Sequence, residues 1–203
     1  MYIIYHPQGK IFKNKGMVIY HDAFGEKNED PYLWNKQFLH SFCHITQMKS
    51  EIGNINFWVS GDTFPNFKHL YCDCVFVVES KVYWNQANNI SQNDNVVDNL
   101  QTYNHHYKWG NFQHPFKRRR RYTLKADEKK SFQPQTKDGF LIDIVPFLKD
   151  IGLDLVRLRS QMKAGYQAKP VNLEPTQAEK LYKYLVQKSD IKIYGYQIAD
   201  IHP

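Results

Sequence analysis

Residues 71–78, with the sequence YCDCVFVV, decide the fold of this chain. The last five of these residues are apolar, and branched and aromatic side chains predominate among them. Such a run is typical of a strand that is covered on both faces of a sheet. Residues 55–60, INFWVS, form a second candidate strand, and Gly61 and Pro65 separate the two. The sequence therefore predicts a sheet with residues 71–78 at its centre.

The first fifty residues predict short strands followed by a helix. Residues 2–5 and 17–20 are apolar runs that predict a hairpin or a pair of short strands. Asp30 can cap a helix with Pro31 at its first position, and we expect this helix to extend to residue 49. Its apolar residues recur every three or four positions, which predicts one buried face. They are Trp34, Phe38, Phe42 and Ile45.

The later part of the chain alternates strand and helix patterns. Residues 140–145 predict a strand, and the Asp-Gly turn at 138–139 predicts a hairpin with residues 122–124. A short helix up to residue 150 follows, and Gly152 can end it. A further helical face is expected from residue 153 onward. Its members are Leu153, Val156, Leu158 and Met162.

Two more elements complete the fold. Thr176 and Glu179 form a capping box for another helix, and residues 191–198 alternate as a closing strand. The mixed order of elements predicts an α+β or α/β fold, with one central mixed sheet flanked by three to four helices. We expect a single domain over residues 1–203.

Composition limits the class of protein. The 203 residues are 42% hydrophobic and 15% aromatic, which favours a globular core over wholesale disorder. Three cysteines, an odd number, provide no disulfide framework and favour a cytoplasmic location. No window approaches the roughly 20 apolar residues of a membrane span, and the first ten residues are too polar for a signal peptide. We therefore expect no membrane partner.

Positive charge is concentrated in one segment. Between Lys117 and Lys130 there are eight basic and two acidic residues, a balance of +6 in a chain with a total of +7. Consecutive guanidinium groups repel one another, and each presents a planar fork that matches phosphate oxygens. The segment therefore predicts binding to nucleic acid, either DNA or RNA. The basic residues assigned to this contact are Lys117, Arg118, Arg119, Arg120, Arg121 and Lys125.

Aromatic residues surround the arginines, and side chains such as Tyr107 and Trp109 can stack on unpaired bases. We expect residues 103–130 to form an insertion that contacts nucleic acid. Two alternatives for the charge are a face that binds an acidic protein and a contact with a membrane surface. The run lacks the amphipathic helical face that membrane binding needs, so nucleic acid is the first expectation.

Acidic residues near the apolar strand suggest metal-dependent chemistry. Carboxylates that meet at a sheet edge can hold Mg²⁺, and a lysine beside them can orient water and stabilise developing phosphate charge. We expect Mg²⁺ on Asp62, Asp73 and Glu79, with Lys81 beside the scissile phosphate.

These positions resemble the motifs of the PD-(D/E)xK nuclease superfamily. Asp62, preceded by a glycine instead of the family's proline, matches the first acidic position, and Glu79-x-Lys81 matches the second motif. That family places a helix ahead of its catalytic hairpin and often takes another acid from it, a place that Glu51 could fill. The resemblance implies a Mg²⁺-dependent nuclease, or a degenerate relative, of mobile-element or defence type.

Two other chemistries fit smaller groups of residues. His40, Cys43 and His44 have helical spacing and, with Cys72 and Cys74, could bind zinc, although buried thiols explain the cysteines more simply. The one-residue gap predicts that both sulfurs of the second pair point to one side of a strand. Histidines near the arginines could instead remove a ribose 2′-hydroxyl proton in a metal-independent RNase. They are His105, His106 and His114.

The sequence therefore leaves three functions open. The first is a nucleic-acid-binding protein that is also a metal-dependent nuclease. The second is a non-catalytic nucleic-acid-binding subunit of a larger ribonucleoprotein or DNA-processing assembly. The third is an interaction module with an acidic protein partner.

Overall fold

The computed structural model describes residues 1–5, 10–14, 16–21, 40–41, 50–61, 66–83, 122–163 and 170–198. Most of its elements are strands. In chain order these are β1 (Tyr2–Tyr5), β2 (Lys10–Asn14), β3 (Met17–His21), β4 (His40–Ser41), β5 (Ile55–Gly61), β6 (Leu70–Tyr83), β7 (Tyr122–Ala126), β8 (Phe132–Gln135), β9 (Ile142–Asp143), β10 (Val171–Asn172) and β11 (Ile191–Tyr194).

The helices that the structure describes all lie in the last third of the chain. They are α1 (Val145–Leu148), a 3-10 turn (Lys149–Ile151), α2 (Leu155–Met162), α3 (Pro175–Lys188) and α4 (Gly195–Ile198). A mixed sheet with these helices is an α+β fold, which confirms the predicted class. Within the described ranges, no helix has the length and apolar character needed to span a bilayer.

β6 is the central strand of a sheet with nine strands in the described residues. Its first part pairs antiparallel with β5, from Ile55 opposite Val77 to Gly61 opposite Leu70. Its other edge pairs in turn with β9, β8 and β7. β1 pairs in parallel with β5, which makes the sheet mixed. The strand predicted from residues 71–78 is thus central, as expected, and it continues to Tyr83.

Two β-bulges interrupt the pairing of β6. Residues 58–59 of β5 are consecutive, but they pair with the residues on either side of Asp73. Residues 125–126 of β7 are also consecutive, and they pair with the residues on either side of Glu79. A bulge bends the strand and redirects the side chain of the extra residue. Both candidate acids on β6 are therefore bulge residues.

Apolar side chains cover both faces of β6. On one face, Cys72 and Val75 belong to a cluster that includes buried residues of α1, α2 and α3. On the other face, Cys74 and Phe76 pack in a second cluster with Ile19 of β3. Coverage by helices on one side and by a hairpin on the other explains the continuous apolar run. The bulge between the two cysteines places them in different clusters, so the prediction that both sulfurs point the same way is wrong.

Buried glutamines attach the β2–β3 hairpin to the sheet. The Gln133 side chain accepts a hydrogen bond from the N–H of Tyr20 and donates one to its carbonyl oxygen, both at 2.9 Å. It also donates to the carbonyl oxygen of Asp73 at 3.0 Å. Gln135 donates to the carbonyl oxygen of Val18 at 2.7 Å and to Gln133 Oε1 at 2.8 Å. Two side chains of β8 thus satisfy backbone groups of β3 as a neighbouring strand would.

The Asp-Gly turn at residues 138–139 closes a hairpin, but with a different partner from the predicted one. Gln135 bridges to Leu141 across this turn, and Gly139 has a positive φ of 81°. The expected partner, β7, pairs instead with β6 and β4. The sequence pattern missed β8 because Pro134 interrupts it, and proline is tolerated in a strand only where its missing N–H is not needed.

The first fifty residues differ from expectation in two places. Residues 2–5 and 17–20 form two strands, as one of the two alternatives predicted, but they do not form a hairpin, because β3 pairs with β2, a strand that the pattern did not predict. His40–Ser41 pair with Lys125 and Leu124 of β7. The helix predicted over residues 30–49 is therefore wrong at these two residues, because pairing with a sheet edge outweighs local periodicity there. The other residues of that predicted helix lie outside the described residues.

The later helices agree more closely with prediction. The 3-10 turn ends at Gly152, which has a φ of 72°, as expected. Val156 is 68% exposed, so it does not belong to the buried face of α2. The capping box of α3 consists of Glu174 and Gln177, two residues ahead of the predicted box. The closing strand, predicted over residues 191–198, ends at Tyr194, and α4 begins at Gly195.

Gln133→Ala should lower the free energy of unfolding by about 3 kcal/mol, because it removes hydrogen bonds to buried backbone groups of Tyr20 and Asp73. Urea denaturation measures this difference. Gln187→Ala, at an exposed position of α3, is the matched control and should change the free energy by less than about 0.5 kcal/mol. Equal small effects for the two variants would contradict the role of Gln133.

Candidate functional site

The candidate catalytic residues of β6 are spread along the strand. Glu79 and Lys81 lie inside the strand and not at its end, and Asp73 lies six residues before Glu79. At a rise of about 3.3 Å per residue, Asp73 and Glu79 are roughly 20 Å apart. The oxygen ligands of a Mg²⁺ ion lie about 2.1 Å from it. Asp73 and Glu79 therefore do not share a metal ion, contrary to the sequence-based expectation.

Gly61, the residue before Asp62, lies at the turn end of the β5–β6 hairpin, away from Glu79. It pairs with Leu70, nine residues before Glu79. An added Cβ at Gly61 would lie 2.7 Å from the Cβ of Phe67, so this close packing requires a glycine. Asp62 is not among the residues that the structure describes. The hairpin does not bring Gly61 and Glu79 together, and the resemblance to PD-(D/E)xK nucleases stays a prediction from the sequence.

Glu79 forms an ion pair with Lys125. Lys125 Nζ lies 3.2 Å from Glu79 Oε2, and the two side chains are 40% and 47% exposed. A pair this exposed contributes at most about 1 kcal/mol to stability. Glu51 lies near the same part of β6, since Gly53 donates its N–H to the carbonyl oxygen of Val78 at 2.8 Å. The structure thus joins a predicted metal ligand to a predicted nucleic-acid contact.

Asp73 lies in the interior, with 3% of its surface exposed. Burial raises the pKa of the Cys72 thiol and that of the Cys74 thiol well above the ordinary value for cysteine. The nearby charge of Asp73 raises both pKa values further. A raised pKa keeps a thiol protonated and unreactive. A carboxylate at this depth does not reach a polynucleotide on the surface.

The end of the basic segment belongs to the sheet and to a tight turn. Residues 122–126 form β7, so the predicted insertion over residues 103–130 does not include this part. Lys130 Nζ lies 2.8 Å from Asp127 Oδ2. Burial opposes ionisation of Asp127, but hydrogen bonds from the Lys130 side chain and from the N–H of Lys129 outweigh it and lower the pKa of this carboxyl group. The turn therefore has an ionised acid beside its lysines.

Two of the three lysines that the structure describes in the basic segment are thus paired with acids of the same chain. These are Lys125 with Glu79 and Lys130 with Asp127. The excess positive charge is carried by residues 117–121, which contain five basic and no acidic side chains. That run lies beyond the described ranges, as do Tyr107 and Trp109.

The structure does place the attachment point of the arginine run. Tyr83 and Tyr122 form the last pair of the β6–β7 ladder. Residues 84–121 connect these two neighbouring strands, and Arg121 directly precedes Tyr122. The two ends of residues 84–121 are therefore attached to the sheet at one point, and Arg121 is covalently joined there.

His69 and Asp143 form a hydrogen-bonded pair that no sequence motif predicted. His69 Nδ1 lies 2.8 Å from Asp143 Oδ2. Asp143 Oδ1 accepts hydrogen bonds from the N–H groups of Leu70 and Val145, each at 3.0 Å. The His69 ring stacks with Tyr71 at a centroid distance of 5.9 Å. The two partners are far apart in sequence and meet only through β6–β9 pairing, so local patterns carry no signal for them.

The described residues do not assemble the alternative zinc site. His40 lies in a strand and not in a helix, and Cys72 and Cys74 belong to different clusters. In the part of the chain that the structure describes, no three His, Cys, Asp or Glu side chains are grouped as metal ligands. Cys43, His44 and the three histidines near the arginines fall outside that part.

Comparison with known proteins identifies no relative. No family model matches the chain, and neither does any curated protein or solved structure. The functional conclusions below therefore depend on the residues and their geometry alone.

Cys72 and Cys74 should be unreactive in the folded protein, because both are buried and the pKa of each thiol is raised. In a Cys43→Ser variant, Ellman's reagent at about pH 8 should label almost no thiol in buffer and two thiols in concentrated guanidinium chloride. Rapid labelling of either thiol in buffer would contradict its burial.

Proposed function

We propose that this protein binds nucleic acid through the phosphate backbone, with residues 117–121 as the main contact. These five consecutive side chains are all basic. Guanidinium groups pair with phosphate oxygens, and the counterions that they displace from the polymer favour binding at low salt. A polyanion satisfies several closely spaced positive charges at once, which an isolated acidic residue does not.

The distribution of charge along the basic segment is the observation that carries this proposal. Within the basic segment, Lys125 and Lys130 are engaged by acids of the protein. The arginines, in contrast, belong to a run without an acidic residue. The excess of positive charge in this segment thus belongs to residues 117–121, which lie in the sequence between β6 and β7.

The attachment of the arginines to the sheet also supports the proposal. Tyr122 is held by backbone pairing to Tyr83, so the end of the run next to Arg121 starts from a fixed position. A fixed attachment point lowers the entropic cost of binding for the residues next to it. Contacts to phosphates do not read sequence, so DNA and RNA are both suitable partners.

Binding, and not metal-dependent cleavage, is the function proposed. Glu79 is paired with Lys125, Asp73 is buried, and the two acids are roughly 20 Å apart along the strand. The matching role is a non-catalytic subunit of a larger nucleic-acid assembly.

Fluorescence anisotropy with a labelled single-stranded oligonucleotide tests the proposal. The variant replaces four arginines with glutamine: Arg118, Arg119, Arg120 and Arg121. If each arginine contacts one phosphate, the slope of log K against log salt concentration should become shallower by about 3, since each contact to a single strand contributes roughly 0.7.

The matched control removes the same charge from exposed lysines elsewhere. It replaces Lys149, Lys180, Lys183 and Lys188 with glutamine. The slope for this control should differ from that of the unmodified protein by less than about 0.7, the contribution of one contact. If the arginine variant and the control weaken binding equally, or if the unmodified protein does not bind at low salt, the proposed function is wrong.

A further inference from the structure

Tyr196 of α4 is an aromatic residue that the fold leaves 51% exposed. Its ring stacks on that of Tyr194, with 5.8 Å between the centroids and 10° between the ring planes. The ring of Tyr194 in turn lies 5.8 Å from that of Phe132, which is 1% exposed. The three rings thus form a series that begins in the core and ends at the surface. We call Tyr194 and Tyr196 the tyrosine platform.

Hydrogen bonds fix the backbone of the tyrosine platform. The N–H group of Tyr196 donates to the carbonyl oxygen of Glu128 at 3.3 Å. The N–H group of Tyr194 donates to Oε1 of Gln197 at 2.8 Å. A tyrosine has few rotatable bonds, and a ring on an anchored backbone loses little conformational freedom when a ligand stacks on it. Tyr196 is therefore preorganised as a contact surface.

The tyrosine platform adjoins the turn that follows β7. This turn comprises residues 127–130, and it includes the carbonyl group that accepts the N–H of Tyr196. β7 connects the turn to Tyr122, and at about 3.3 Å per residue this strand spans roughly 13 Å. Arg121 directly precedes Tyr122. β7 therefore leads from the arginine run at one end to the tyrosine platform at the other.

The charge of this turn favours a different contact from that of the arginines. Residues 127–130 comprise two acids and two lysines, so the turn has no net charge. Lys130 is paired with Asp127 at 2.8 Å, and Glu128 is exposed. A turn with balanced charge attracts a phosphate only weakly, whereas an exposed aromatic ring offers a surface for the face of a base. The chemistry of the tyrosine platform thus suits a base and not the phosphate backbone.

We propose that Tyr196 is a stacking site for one unpaired base of a single-stranded nucleic acid. This inference rests on the proposed function, in which the arginine run holds the phosphate backbone of the same strand. Every base has a π face, so stacking on a tyrosine ring tolerates any sequence. In a duplex the bases are stacked on one another and present only their edges in the grooves. The tyrosine platform therefore favours single strands over duplexes.

Fluorescence anisotropy with a labelled single strand, and with an abasic strand of the same length, tests this contact. Tyr196→Ala should weaken binding of the normal strand about tenfold, the loss expected for one stacked base. The slope of log K against log salt concentration should stay unchanged, because the ring contacts no phosphate. The abasic strand has the same phosphates but no bases, so it should bind the variant and the unmodified protein equally. Retained binding of the abasic strand also shows that the variant is folded.

Two further variants and a duplex serve as controls. Tyr196→Phe keeps the ring and should bind every strand like the unmodified protein. Phe140→Ala is the matched control, because Phe140 is 64% exposed and follows the turn beyond the other end of β8. This variant should leave the affinity for the normal strand unchanged. A duplex of the same sequence should bind Tyr196→Ala and the unmodified protein equally.

The results separate this inference from the proposed function. If Tyr196→Ala binds the normal strand as tightly as the unmodified protein does, the role of Tyr196 is wrong and the proposed function stands. The same conclusion follows if the variant loses as much affinity for the abasic strand or the duplex as for the normal strand. If the unmodified protein binds no strand at low salt, both proposals are wrong.

Discussion

Pairing of β6 along both of its edges is the constraint on which the rest of the structure depends. A strand that is buried on both faces has no water for its backbone groups, so neighbouring strands must satisfy them. β5 pairs with one edge in a single hairpin, whereas β9, β8 and β7 share the other. These three strands come from one region of the chain, residues 122–143, and their order along β6 is the reverse of their order in sequence. Helices and the β2–β3 hairpin then cover the two faces.

The two bulges divide β6 into parts with different chemistry. At Asp73 the extra residue lies in the interior, and its carbonyl oxygen is bonded to Gln133. At Glu79 the strand passes from buried residues to the surface, where the carboxylate pairs with Lys125. One strand of 14 residues thus supplies both part of the core and the anchor of the arginine run.

Much of the fold could be predicted from the sequence, because the signals were local. The apolar run at residues 71–78 identified the central strand, and Gly152 marked the end of a helical turn. The candidate site was harder to predict because it depends on register. A bulge reverses the face of the sheet to which every later side chain points. For this reason neither the separation of the two cysteines nor the position of Glu79 beside Lys125 followed from simple alternation. The pairing of His69 with Asp143 depends on strands that are distant in sequence.

The central claim is that nucleic acid binds where the arginine run joins the end of the β6–β7 ladder. Backbone amide chemical shifts, recorded during titration with a short single-stranded oligonucleotide at low salt, test this claim most directly. We expect the largest changes at Val82, Tyr83, Tyr122 and Thr123, with the amides of α3 unchanged. Changes confined to α3, or unchanged amides at the end of the ladder while the oligonucleotide is bound, would contradict the claim.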